Sequence, residues 1–190
     1  MLSAASGSRV SHLRSWRDGW RHLRFLLLMS PRWLLLYPGV ALIGIGVATQ
    51  LAISRGPVVV SGVGFDIHTM LYAGGAVILG VQLVLFSLLA RAIGVLKDIL
   101  PMSEPLARLL HTFTLERGIL LGLAFTVAGF ALAFYSVLNW AHVHLSALDP
   151  AIMMRVAIPS VTLILAGAEI IFSSFLLRII DVRATDNRKS

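Results

Sequence analysis

Residues 70–91, MLYAGGAVILGVQLVLFSLLAR, contain 21 uncharged residues followed by an arginine. A helix rises about 1.5 Å per residue and a bilayer core is about 30 Å thick, so a run of this length spans a membrane. Three further apolar runs are also long enough to span, at residues 34–53, 119–141 and 152–177, the last interrupted by Arg155 and Glu169. The sequence therefore predicts an all-α integral membrane protein with four transmembrane helices.

The rest of the chain divides around these runs. We predict a disordered N-terminus at residues 1–10, a basic amphipathic juxtamembrane helix at 11–30, the four-helix transmembrane domain at 31–182 and a cytoplasmic tail at 183–190. The first ten residues have no apolar core and no cleavage pattern follows the first run, which argues against a removable signal peptide. Because the chain has no cysteine, it has no disulfide and no thiolate nucleophile or metal ligand.

The positive charges indicate an orientation in the membrane. Of the 16 lysines and arginines, Arg55 and Arg155 lie on one side, and the others lie before the first run, between the second and third, or after the fourth. The positive-inside rule then places both termini and the middle loop in the cytoplasm, and the expected location is the bacterial inner (cytoplasmic) membrane. Since topology and lipid headgroups account for the charge, we expect the lipid bilayer as a partner and no nucleic acid.

The apolar runs also form a repeat. At an offset of 87 residues the second and fourth runs share four positions: Gly80 with Gly167, Gln82 with Glu169, Ser87 with Ser174, and Arg91 with Arg178. At an offset of 83 the first and third runs align more weakly, through Gly39, Ala41 and Gly46 with Gly122, Ala124 and Gly129. We predict two tandem helical hairpins, although small residues in apolar helices also align by chance. The small residues allow close helix packing and would permit a homo-oligomer.

Gln82 and Glu169 are polar residues within the apolar runs. Gln82 lies nine residues before Arg91, and Glu169 lies nine residues before Arg178, which is about 13 Å of helix in each case. An ionised glutamate at that depth is costly unless it is paired. We therefore expect Glu169 to be protonated or hydrogen-bonded, with Gln82 as its partner. The alternative, a proton relay or a substrate contact, lacks a second titrating group nearby.

Residues 11–30 combine an apolar stripe with a stripe of arginines. The apolar residues recur at steps of three and four: Leu13, Trp16, Trp20, Leu23 and Leu27. The arginines follow one residue later: Arg14, Arg17, Arg21 and Arg24. This pattern is typical of a helix lying in the headgroup layer, where arginine binds phosphate oxygens. From the residues alone, a simple interfacial anchor is favoured over a specific site for a phosphate-bearing lipid.

Motifs for catalysis are absent from the sequence. It has no Asp-x-Asp pair to hold a divalent metal against a nucleotide sugar, no phosphate-binding glycine loop and no G-x-S-x-G elbow. A group of acids and histidines between the runs has ligand chemistry for zinc: Asp66, His68, His142, His144 and Asp149. Their spacing is unspecific and such histidines more often sit in water, so we expect no metal site.

Three segments carry a family resemblance: WRDGWRHLRFLLLMSPRWLLLYPG (16–39), GFDIHTMLYA (64–73) and GVQLVLF (80–86). With them, residues 11–182 resemble the C-terminal membrane region of bacterial family 2 glycosyltransferases, which are similar to dolichyl-phosphate mannosyltransferases and polyprenyl-phosphate sugar synthases. The resemblance implies sugar transfer from a nucleotide donor to polyprenyl phosphate. It also implies that Arg14, Arg17, Arg21, Arg24 and Arg32 are candidates to approach the lipid phosphate.

The same resemblance implies that the catalytic domain is missing from this chain. No catalytic residue and no cofactor are then expected here, and a divalent metal is expected only in the missing domain. The first hypothesis is a membrane module that anchors a separately encoded nucleotide-sugar transferase domain and presents polyprenyl phosphate. The alternative is an independent small membrane protein, such as a lipid-linked sugar translocator or an assembly scaffold.

Overall fold

The computed structural model describes residues 19–20, 32–96, 115–142 and 150–187. A π-helical turn, Arg32–Leu36, leads into helix α1, Tyr37–Ile53. Strands β1, Val58–Val60, and β2, Val63–Phe65, connect α1 to helix α2, Ile67–Leu96. Helices α3, Leu115–His142, and α4, Pro150–Asn187, complete the described part. Each predicted apolar run lies inside one of these helical segments.

Four described helices are long and apolar enough to cross a membrane, which confirms the all-α, four-span prediction. The chain is therefore a multi-pass membrane protein in contact with the lipid bilayer. Of the predicted juxtamembrane helix, Gly19 and Trp20 are described and are helical. The remainder of that helix lies outside the described residues, so it stays a prediction.

The two strands form a β-hairpin that the sequence analysis did not predict. They are antiparallel, with Val60 opposite Val63, so Ser61 and Gly62 form the two-residue turn. Both turn residues have positive φ, 51° and 82°, as a type I′ turn requires. The signal in the sequence was a run of valines before a Ser-Gly pair.

The four helices are arranged as two helical hairpins. α1 packs along α2 and α3 along α4, and the two hairpins meet through α2 and α4. The start of α1, the end of α2, the start of α3 and the end of α4 all lie at one end of the bundle. We call it the arginine end, because Arg32, Arg91, Arg117 and Arg178 lie there. The β-hairpin lies at the opposite end.

Glycines mark the first crossing point within each helical hairpin. A Cβ added to Gly39 would lie 2.9 Å from the carbonyl oxygen of Gly80, and one added to Gly122 would lie 2.6 Å from that of Gly167. Side chains are excluded at such distances, so α1 and α2 approach at Gly39 and Gly80 in the same way as α3 and α4 approach at Gly122 and Gly167. The two pairs are related by the offsets of 83 and 87 residues.

A second crossing point repeats in the same register. The Cβ of a residue at position 46 would lie 2.6 Å from the carbonyl oxygen of Ala73, and at position 129 it would lie 2.7 Å from that of Ser160. Ser160 follows Ala73 by 87 residues, and Gly129 follows Gly46 by 83. The predicted repeat is therefore confirmed: the two hairpins use equivalent residues at equivalent contacts.

Candidate functional site

The arginine end contains Arg32, one of the five predicted candidates to approach a lipid phosphate. Arg91 is half-buried near the end of α2, while Arg117 and Arg178 are exposed on α3 and α4. Arg32 begins the π-helical turn, and nothing is described of its side chain. The other four candidates lie outside the described residues and stay a prediction: Arg14, Arg17, Arg21 and Arg24.

The predicted hydrogen bond between Gln82 and Glu169 is not formed. Gln82 is exposed on α2, whereas Glu169 is half-buried on α4. The Oε2 atom of Glu169 is buried and has no hydrogen-bond partner among the described residues. The prediction is wrong because α2 and α4 pack through different faces, so two positions that are equivalent in the repeat have different surroundings.

Glu169 belongs to a polar stripe on α4. Arg155, Thr162 and Glu169 recur every seven residues, and therefore lie on one side of the helix. That side packs against α1 and α2: Gln50 Nε2 of α1 donates to Thr162 Oγ1 at 3.2 Å, and a Cβ added to Gly74 of α2 would lie 2.8 Å from the same Oγ1. The Thr162 hydroxyl itself donates to the carbonyl of Ile158 at 2.8 Å, within α4. The α4 polar stripe thus supplies tertiary contacts within the membrane.

An ion pair between Arg155 and Asp66 lies at the end of the bundle opposite the arginine end. An Arg155 Nη atom donates to Asp66 Oδ1, and the two side chains are 15% and 39% exposed. The sequence analysis missed this pair, although a charge interrupting an apolar run commonly pairs with another charge. The sequence predicts Arg155 only as an interruption of the fourth apolar run, and Asp66 only as a weak metal ligand.

The alternative of a metal site gains no support from the described residues. They contain no group of three or more His, Cys, Asp or Glu side chains that could hold an ion. His144 and Asp149 lie outside the described residues, as does the side chain of His142. Asp66 is instead bound to Arg155.

An apolar groove of about 580 Å³ lies between α2 and α4. Leu71, Gly75, Met154 and Val161 are among the residues that line it. Such a lining accommodates hydrocarbon and offers no charged group to a phosphate.

We expect Glu169→Gln to keep the folded yield at or above the wild-type level. The amide has the same shape as the carboxylate, and it removes the cost of placing a charge where Oε2 has no described hydrogen-bond partner. The measurement is the monodisperse fraction after detergent extraction. Glu116→Gln, at an exposed position in the first turn of α3, is the matched control. A large loss of folded protein in Glu169→Gln alone would show that the charge itself is required.

Residues 88–181 match the family described as Glycosyltransferase family 2 C-terminal transmembrane region. This chain contains that glycosyltransferase region. The match confirms the family resemblance found in the sequence. It begins near the end of α2 and covers the second helical hairpin as far as Asp181, so the family 2 region coincides with one unit of the repeat and the end of the other.

A named glycosyltransferase shows the same relationship over more of the chain. This chain is 33% identical over 168 residues to the low-salt glycan biosynthesis hexosyltransferase Agl6 of Haloferax volcanii. The alignment covers 88% of this chain and 39% of that relative. The chain therefore spans less than half the length of the hexosyltransferase it matches. No solved structure matches this chain.

Proposed function

We propose that this chain is the membrane module of a glycosyltransferase, and that it presents polyprenyl phosphate to a nucleotide-sugar transferase domain at the cytoplasmic face. The family 2 match over residues 88–181 is the observation that carries the proposal. The 33% identity to a protein named as a hexosyltransferase supports the same class of activity.

The charge distribution supports the placement of the site. The arginine end holds Arg32, Arg91, Arg117 and Arg178, on the same side of the bundle as the entry to α1, whereas the opposite end holds Arg55 and Arg155. By the positive-inside rule this end faces the cytoplasm, and we propose the cytoplasmic membrane as the location. Nucleotide sugar and lipid phosphate would then meet at one surface.

The role we assign to this chain is to bind and orient. Arginines bind phosphate oxygens with paired N–H donors, and the apolar surface of the four helices matches the isoprenoid tail. Holding the phosphate at a fixed height above the helices would align it with a sugar donor, which accelerates transfer without a chemical step by these residues. We place the catalytic acids and their metal in the transferase domain.

Binding of polyprenyl phosphate tests the proposal. We expect the double variant Arg21→Ala with Arg24→Ala to bind a fluorescent polyprenyl phosphate about thirtyfold more weakly, since each arginine near an anionic group contributes about 1 kcal/mol. The assay uses the purified chain in nanodiscs of zwitterionic lipid, which removes general attraction to anionic headgroups. Polyprenol, which lacks the phosphate, should be bound equally by wild type and variant.

Arg55→Ala is the matched control, because Arg55 is an exposed arginine at the opposite end of the bundle. It should leave the affinity for polyprenyl phosphate unchanged. Unchanged affinity in the Arg21/Arg24 double variant, or equal losses for polyprenol and polyprenyl phosphate, would contradict a phosphate site in the juxtamembrane helix and leave only an interfacial anchor.

A further inference from the structure

The surfaces of α1 and α3 are the same in the two helical hairpins. Aligned at the offset of 83, residues 37–52 and residues 120–135 agree at every position in whether they are buried, half-buried or exposed. Val47 and its equivalent Phe130, for example, are both exposed. In a transmembrane domain, a face that is open in both units lies against acyl chains, so these are the lipid-facing surfaces of the repeat.

α2 and α4 behave differently. α2 exposes a stripe at steps of three, four or seven residues, which we call the α2 outer face: Leu71, Gly75, Leu79, Gln82, Phe86 and Ile93. The equivalent residues of α4 are all buried or half-buried: Ile158, Thr162, Ala166, Glu169, Ser173 and Ile180. Two of them, Ile158 and Thr162, flank Gly74 of α2, so this side of α4 packs on α2.

α4 shows the converse pattern. Its exposed stripe, which we call the α4 outer face, consists of Val161, Leu165, Phe172, Phe175 and Ile179. The equivalent residues of α2 are buried or half-buried: Gly74, Ile78, Leu85, Leu88 and Ala92. The contact between the two hairpins is therefore head-to-tail. In that contact the first hairpin uses one face of α2 and leaves the α2 outer face open. The second hairpin uses the equivalent of the α2 outer face and leaves the α4 outer face open.

A head-to-tail contact leaves one contact face free on each unit, so further units add in the same way until they close a ring. We propose that a second copy of this chain places its α4 outer face on the α2 outer face of the first, and the reverse, in a dimer with a two-fold axis along the membrane normal. The dimer is a ring of four helical hairpins. Every contact between neighbouring hairpins, within or between chains, then joins the same pair of faces.

Gln82 is a second, independent reason to place protein on the α2 outer face. Its side chain is exposed in a transmembrane helix, about 13 Å from Arg91 along the axis. Acyl chains offer an amide no hydrogen bonds, and polar side chains in membrane helices face other helices or water. In the dimer, Gln82 lies against α4 of the second copy and becomes covered, as its equivalent Glu169 is already half-buried within one chain.

The glycines fit the same arrangement. Within the chain, Gly74 of α2 makes room for α4, since a Cβ there would lie 2.8 Å from Thr162 Oγ1. The equivalents of Gly74 and Thr162 are Val161 and Gly75, which lie on the two outer faces. Between chains the glycine therefore occupies the position equivalent to Thr162 instead of the one equivalent to Gly74: Gly75 of α2 makes room for Val161 on α4 of the second copy.

Cross-linking between two tagged copies tests the dimer, and the absence of cysteine makes single-cysteine variants specific. Leu165 is equivalent to Ile78 and Leu79 to Ala166, so we expect Leu79→Cys in one copy to cross-link to Leu165→Cys in the other with a short bismaleimide in membranes. Each variant alone should give no cross-linked dimer, because a head-to-tail contact does not bring like residues together. Phe130→Cys, on the lipid face of α3, should not react with Leu79→Cys.

A packing variant gives a second measurement. Gly75→Leu should weaken self-association at least tenfold, because it fills the space for Val161 of the second copy, while a Cβ at Gly75 meets nothing within 4 Å inside the chain. Gly44→Leu is the matched control, since Gly44 is equally open and faces lipid in the repeat. The mass in nanodiscs or by native mass spectrometry reports the change.

The proposal is overturned if wild type is monomeric in these measurements, if Leu79→Cys and Leu165→Cys do not cross-link, or if like residues cross-link instead. Because the tests contain no polyprenyl phosphate, they are independent of the proposed function. Loss of lipid binding would not affect them, and a failed dimer would leave the phosphate site open.

Discussion

Gly46→Val and Gly129→Val will each lower the free energy of unfolding by about 3 kcal/mol, at the upper end of what overpacking costs. The added Cβ lies 2.6 Å from the carbonyl oxygen of Ala73 in the first hairpin and 2.7 Å from that of Ser160 in the second. Both oxygens are backbone atoms of a neighbouring helix, so relief requires the helices to separate. Each hairpin would then lose its close contact over several turns.

The chain offers a matched control two residues away from Gly46. A Cβ at Gly44 meets nothing within 4 Å, and the equivalent position in the second hairpin, Val127, is already a valine exposed on α3. Gly44→Val should therefore unfold like the wild type in a detergent titration. A Gly46→Val protein as stable as Gly44→Val would contradict the crossing point between α1 and α2.

The spans and the repeat could be predicted because both depend on which residues occur at which positions along the chain. A membrane helix needs a long apolar run, and a close crossing needs a glycine at a fixed place in each unit. Gly39, Gly46, Gly122 and Gly129 therefore revealed the register from sequence alone, and the structure places all four at crossings.

The contact between the two hairpins could not be predicted in the same way. A repeat in sequence suggests that equivalent residues have equivalent surroundings, and the expected pair of Gln82 and Glu169 followed from that assumption. In the structure the contact is head-to-tail, so Glu169 is half-buried while Gln82 is exposed. Which face of an apolar helix meets which neighbour depends on how the shapes of the side chains fit together. The hydropathy of the sequence does not specify that fit.

The candidate site is predictable only as far as its charge. The clustering of arginines at one end follows from the sequence and is visible at Arg91, Arg117 and Arg178. The juxtamembrane arginines lie outside the described residues, so their convergence on a phosphate stays a prediction. The ion pair of Arg155 with Asp66 joins residues 89 apart in the chain, and sequence spacing alone gave no reason to pair them.

Removing the carboxylate of Asp66 will cost about 2 kcal/mol of stability. Losing one partner of a buried ion pair costs about 3–5 kcal/mol and an exposed pair contributes under about 1 kcal/mol, and this pair lies between those limits because Asp66 is 39% exposed. Asp66→Ala leaves the guanidinium of Arg155, 15% exposed, without its partner at the end of a membrane helix. His68→Ala, at an exposed position in the same turn, is the matched control.

Replacing Arg155 should cost less stability than replacing Asp66, and the difference between the two losses is the sharper test. Arg155→Met leaves a carboxylate that water can reach, and it also removes a buried Nε that has no hydrogen-bond partner among the described residues. The double variant Asp66→Ala with Arg155→Met should recover most of the stability lost in Asp66→Ala, because an apolar pair replaces a desolvated charge. Unfolding free energies of the four proteins give the coupling directly. If the two single losses simply add in the double variant, the ion pair contributes nothing to holding α2 against α4.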